Sequence, residues 1–254
     1  MKCRFVFAQT KLLSLFVGAL AGICGAPAIQ AQNLLVNGSF EQPGTGKITS
    51  GFDSVTGWFS GVAPLPGGVD SGVETTGNPI DGIYSAFSNA GDAATDGIHA
   101  NQTTAHVIQA GQIFDLSLAA RPLYTFLPGF AGPANATLHY RLYYGGTATT
   151  VGTTFAEGYF DLGLAINNDG VEPYQIHSLL GIDPPAAADG QVLGITLMNS
   201  SGGQFGDPAG AAVADPNSSW IGFDRVSLVA VPEPASLTLL ALCGLGLGAL
   251  RRRS

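Results

Sequence analysis

Thr137-Leu138-His139-Tyr140-Arg141-Leu142-Tyr143-Tyr144 sets the fold class. Leu138, Tyr140, Leu142 and Tyr144 fall on one side of an extended chain, and His139, Arg141 and Tyr143 on the other. A period of two with one polar side is what a strand needs when its sheet packs on a single face. The same period runs upstream from Ile113, where Phe114, Leu116 and Leu118 oppose Asp115 and Ser117, and Val192 to Met198 continues it. Shorter apolar patches stand at Leu34 and Val36, at Trp58 and Phe59, and from Ile83 to Phe87, with Gly, Pro, Asn and Asp clusters between them. From Trp220 to Val229 the phase flips: Ile221 and Phe223 keep one side, Val226 and Leu228 the other, which predicts a bulge near Asp224-Arg225. No stretch between the two ends has helical spacing. The expectation is an all-β body spanning 32–229, long enough for one sandwich.

Three segments sharpen this into a particular sandwich. Asn33-Leu34-Leu35-Val36-Asn37-Gly38-Ser39-Phe40-Glu41 opens the body and Gly57-Trp58 follows. Ile221-Gly222-Phe223-Asp224-Arg225-Val226-Ser227-Leu228 closes it, and Gly111-Gln112-Ile113-Phe114-Asp115-Leu116-Ser117 stands mid-chain. Together they resemble the galactose-binding-domain-like jelly rolls, a fold shared by carbohydrate-binding modules, adhesive domains and accessory domains of enzymes. The resemblance implies a jelly-roll β-sandwich. It also implies a structural calcium ion joining first and last strands, with Glu41 and Asp224 as side-chain ligands and backbone carbonyls completing the shell. The competing reading is that both carboxylates simply accept backbone amides.

The ends carry addresses. Lys2, Arg4 and Lys11 lead into an apolar run from Leu12 to Cys24 and then small residues, the layout of a secretory signal peptide over 1–31, cleaved after Ala31 or Ala28. At the far end, over 230–254, Val231-Pro232-Glu233-Pro234 precedes an uncharged run from Ala235 to Leu250, closed by Arg251, Arg252 and Arg253. Those 16 apolar residues fall short of the roughly 20 of a comfortable membrane helix, and the arginines mark its cytoplasmic side. The Pro-Glu-Pro, apolar helix and basic cluster, in that order, resemble the PEP-CTERM sorting signal. The resemblance implies an exported protein held briefly in the inner membrane, cut by an exosortase-type peptidase, and passed to the cell surface, outer membrane or extracellular matrix.

Charge and chemistry narrow the function. The precursor carries −8, and setting aside the three basic residues at each end leaves −14, with only Lys47, Arg121, Arg141 and Arg225 basic in between. So acidic a body has no electrostatic footprint for nucleic acid. Cys3, Cys24 and Cys243 all lie in the end segments, so the body has no disulfide, thiolate metal site or cysteine nucleophile. His99, His106, His139 and His177 show no metal-site spacing, and His139 and His177 are expected on polar strand faces. No catalytic motif is present, so the body is expected to act by binding or structure, in association with exopolysaccharide. A carbohydrate-binding module is the alternative, ahead of a secreted hydrolase. Tyr124, Phe126, Arg141 and Tyr143 are the candidate sugar contacts, as rings and donors that could form a stacking platform. Burial of the same rings in the sandwich is the competing reading.

Overall fold

A computed structural model describes residues 32–42, 44, 46–48, 51–60, 71–75, 79–88, 99–125, 135–164, 173–199 and 219–231. The expected signal peptide, the Pro-Glu-Pro segment, the apolar run and the arginine cluster lie outside these residues, as does Phe126. Nine strands are described: β1 (Gly72–Glu74), β2 (Ser85–Ser88), β3 (Ala100–Val107), β4 (Ile113–Thr125), β5 (Asn135–Tyr144), β6 (Thr153–Leu164), β7 (Gln175–Ile182), β8 (Val192–Asn199) and β9 (Ser219–Val231). A single 3-10 turn, Ala186–Ala188, interrupts them. Among the described residues no helix is long and apolar enough to cross a membrane.

The strands form two antiparallel sheets, ordered β1-β2-β9-β4-β7 and β3-β8-β5-β6. One core lies between them. Phe114, Leu116 and Leu118 of β4 and Leu228 of β9 meet Leu138, Leu142, Ile195 and Leu197 of the second sheet, all buried. The alternation in the sequence therefore reports sheet faces faithfully, and the chain is an all-β sandwich as expected. Each such side chain contributes about 1.5–3 kcal/mol of burial, so two sheets that each supply four of them outweigh any single polar contact.

The predicted defect in the last strand is real. Ser117 pairs with Ser227, but Ala119 pairs with Asp224, so β9 spends three residues where β4 spends two. The extra residue puts Arg225 at φ 51°, a left-handed conformation that costs a non-glycine residue about 1–2 kcal/mol. A second shift lies in β4 just after its proline, between Pro122 and Tyr124. β7 stops opposite Ala120, so Pro122 lies beyond the pairing that its missing N–H would have broken.

The three quoted segments converge in space. Phe40 of the opening stretch lies 5.0 Å from Trp58 and edge-on to Phe223 of β9 at 5.5 Å, centroid to centroid. Asn33 binds the carbonyl of Val226 at 3.0 Å and accepts the N–H of Leu228 at 3.0 Å. The first residues of the body are thus zipped to its last strand.

Candidate functional site

The β9 bulge organises the surface around it. Asp224 is fully buried; its Oδ2 accepts the N–H groups of Ile80 and Asp81 at 3.0 and 3.1 Å, and its Oδ1 that of Arg225 at 2.7 Å. Glu41 takes two further amides of the same loop, with Oε1 accepting from Ile83 and Tyr84 at 2.9 and 2.8 Å. Gly82, at φ 70°, lies so close that a Cβ there would strike the Glu41 carboxylate. Burial pushes the Asp224 carboxyl up to about 6, against the pull of the three amides.

Glu41 and Asp224, expected as calcium ligands, therefore clamp the 80–84 loop through its backbone donors. A calcium shell needs six to eight oxygens converging on one point, whereas these oxygens converge on N–H groups. Among the described residues there is no group of three or more His, Cys, Asp or Glu that could hold a metal.

Beside this clamp runs a groove of about 610 Å3 on the outer face of the five-stranded sheet. It is lined by Asn33, Asn37 and Ser39 of the opening stretch, Asp81 of the clamped loop, Arg225 of the bulge, and Ser117, Ala119, Ser227 and Ile176 of the sheet. The opening stretch is braced. Asn37, at φ 54°, closes a turn by accepting the N–H of Gln42 at 3.0 Å, and its carbonyl takes the Trp58 indole N–H at 3.1 Å. Gln102 of β3 grips Val36 from both sides, at 2.6 and 2.9 Å.

Arg225 differs from the other basic residues of the body. Lys47 pairs with Glu74 at 3.6 Å, Arg121 is buried against the Tyr174 ring at 4.5 Å, and Arg141 pairs with Glu157 at 3.0 Å. Among the described residues the Arg225 guanidinium makes no ion pair, and the residue is exposed. The phase flip in the sequence pointed to its backbone; nothing there showed that an opening loop and a distant loop would line the same groove.

Of the four expected sugar contacts, Arg141 and Tyr143 have side chains among the described residues. Tyr143 does point away from the core row, as its alternation predicts, but it is fully buried. Its ring covers Gly194 of the neighbouring strand, packs under Gly146, and its hydroxyl meets Thr103 at 2.9 Å. A glycine beside it opened a slot that the ring fills. Arg141 is held across the strands by Glu157. Tyr124 lies on β4 with its side chain outside the described residues. His139 is on the outer face as expected, yet only 1% exposed; it stacks on Tyr159 at 4.4 Å, and burial, then Arg141, lowers its pKa to about 4. His177 departs from expectation: it stands opposite Leu118 on the inner face, 5.0 Å from Phe160.

Comparison with known proteins bears on both parts of the chain. Residues 230–253 match the PEP-CTERM protein-sorting motif. The motif marks an exported protein sorted by way of the membrane and processed by an exosortase. No curated protein matches the chain. Among solved structures, the Stig cyclase Fisc from Fischerella sp. TAU, in complex with (3Z)-3-(1-methyl-2-pyrrolidinylidene)-3H-indole, is similar at 20% identity and TM-score 0.52, over 80% of this chain and 99% of that one. A cyclase from Fischerella sp. TAU follows at 19% identity and TM-score 0.51, over 80% and 98%. The CBM22-1 xylan-binding domain from Paenibacillus barcinonensis aligns at 13% identity and TM-score 0.40, over 82% and 99%. At such identities the two cyclases share a fold with this chain and nothing more.

Proposed function

We propose that the protein is an exported surface or matrix component whose sandwich binds a neutral polysaccharide in the groove beside the β9 bulge. The observation that carries this reading is the groove itself: an open trough of about 610 Å3 lined by hydrogen-bonding side chains, among them a guanidinium that makes no ion pair among the described residues. Sugar hydroxyls both donate and accept. Asn33, Asn37, Ser39, Ser117 and Ser227 offer both roles, Asp81 accepts, and Arg225 donates through a planar fork suited to adjacent hydroxyls. Ile176 supplies an apolar patch for the C–H face of a ring. The ligand is neutral because Arg225 stands with Asp81 on an acidic molecule, which repels polyanions. A neutral glycan ligand and the sorting motif both support an association with exopolysaccharide.

Glycan-array screening followed by calorimetry on the purified protein tests the reading. Arg225→Gly removes the guanidinium and also relaxes the left-handed backbone, so stability should hold or rise by up to about 1 kcal/mol. Affinity should fall about tenfold, the worth of one or two good polar contacts. Asp81→Asn should weaken binding in the same way. A protein that binds no glycan, or binds equally well in both variants, does not use this groove.

A further inference from the structure

Each edge of a sheet presents unpaired backbone donors and acceptors, and folded proteins normally blunt such edges. Three of the four described edges are blunted here. β1 has three residues and is bridged at Val73 by Ile48. β3 is bridged at Asn101 by Phe59. β6 carries exposed Glu157 and Asp161. β7 is neither short, bridged nor charged: Gln175-Ile176-His177-Ser178-Leu179-Leu180-Gly181-Ile182 contains no Lys, Arg, Asp, Glu or Pro, and its one irregularity is a bulge at the far end, between Leu179 and Ile182. Its outer face also bears large apolar side chains in the open, Ile176 at 62% and Leu180 at 75% exposure.

The polarity of this edge is symmetric about Ser178. In an antiparallel pair centred on that residue, Ser178 faces itself, Ile176 faces Leu180 of the other copy, and His177 faces Leu179. The exposed apolar side chains Ile176 and Leu180 meet each other and no charge faces a like charge. Self-complementarity of this kind is the requirement of a two-fold interface, and a charged partner would find nothing on the edge to answer it. We propose that β7 pairs with β7 of a second copy of this chain, joining two five-stranded sheets edge to edge. Because Ile176 also lines the groove, the pairing sets two grooves side by side on one face.

The test is sedimentation of the full chain in a density-matched mild detergent at low and moderate salt. The wild type should sediment at twice the protomer mass, more completely as salt screens the repulsion between two acidic bodies. Ile176→Lys with Leu180→Lys places like charges opposite one another and should give monomers. Ile176→Lys with Leu180→Glu places opposite charges across the two-fold and should restore the dimer, which also controls for folding. A wild type that stays monomeric, a dimer that survives the double lysine change, or a dimer lost equally in both variants would overturn the pairing.

Discussion

Two buried ionisable residues pull the pH dependence of stability in opposite directions. His139 is neutral in the fold, with its pKa lowered to about 4. Below about 6.5 the unfolded chain takes up a proton that the folded one refuses, so its contribution is full above 6.5 and fades as pH falls toward 4. Asp224 has its pKa raised to about 6. Its contribution is full below about 4 and fades as pH rises toward 6. At about 1.4 kcal/mol per pKa unit, each group moves stability by no more than about 3.5 kcal/mol. Between pH 4 and 6 the two slopes offset one another. His139→Gln should leave a protein that loses stability as pH climbs through that window, and Asp224→Asn one that gains it. Denaturant midpoints at pH 4, 5 and 6 would decide; parallel curves for the two variants would be the wrong result. The alternation already placed His139 and Tyr143 on the outer side of β5. What it could not convey is cover: exposure depends on whether neighbours such as Gly194 and Gly146 leave a slot, and those lie on other segments.

At the level of elements, the 80–84 loop is fastened by two acceptors far away in sequence. Glu41→Ala strips the acceptor from the Ile83 and Tyr84 amides, and a lost charged hydrogen bond costs about 1.5–3 kcal/mol. Faster hydrogen exchange at those two amides should accompany a lower melting temperature. A chelator should leave the wild-type curve where it was if the two carboxylates serve the loop amides alone; a drop on chelation that calcium reverses would show that they also hold the ion. Strands β4, β5 and β8 were legible because one face of each is apolar throughout. β9 was legible even in its fault, since a bulge shifts the phase of every later side chain. β6 and β7 were not singled out, because edge strands lean on one neighbour and β7 exposes Ile176 and Leu180 where alternation expects polar residues. The groove was not legible at all. Its lining comes from residues 33–39, 81 and 225, which only the closed sandwich brings together.

For the molecule as a whole, the sorting motif directs where the body ends up. Cleavage near Pro232-Glu233-Pro234 would release it from a 16-residue span that is short for a bilayer. Mass spectrometry of protein from its native host should find a C-terminus close to that motif, and Glu233→Ala should hold the chain in the inner membrane with Arg251 to Arg253 still attached. Recovery of the arginines from the unaltered, fully sorted protein would mean a permanent anchor. The strand that leads to the motif lies inside its sheet, between β2 and β4, and Asn33 is fastened to its far end at Val229. Any pull on the tail therefore runs along β9, and the ladder it shares with β4 from Val231 to Ser219 is loaded in shear. Bonds loaded that way must fail together instead of opening one at a time. Under drag, the body should be torn from its attachment, or cut there, before it unravels.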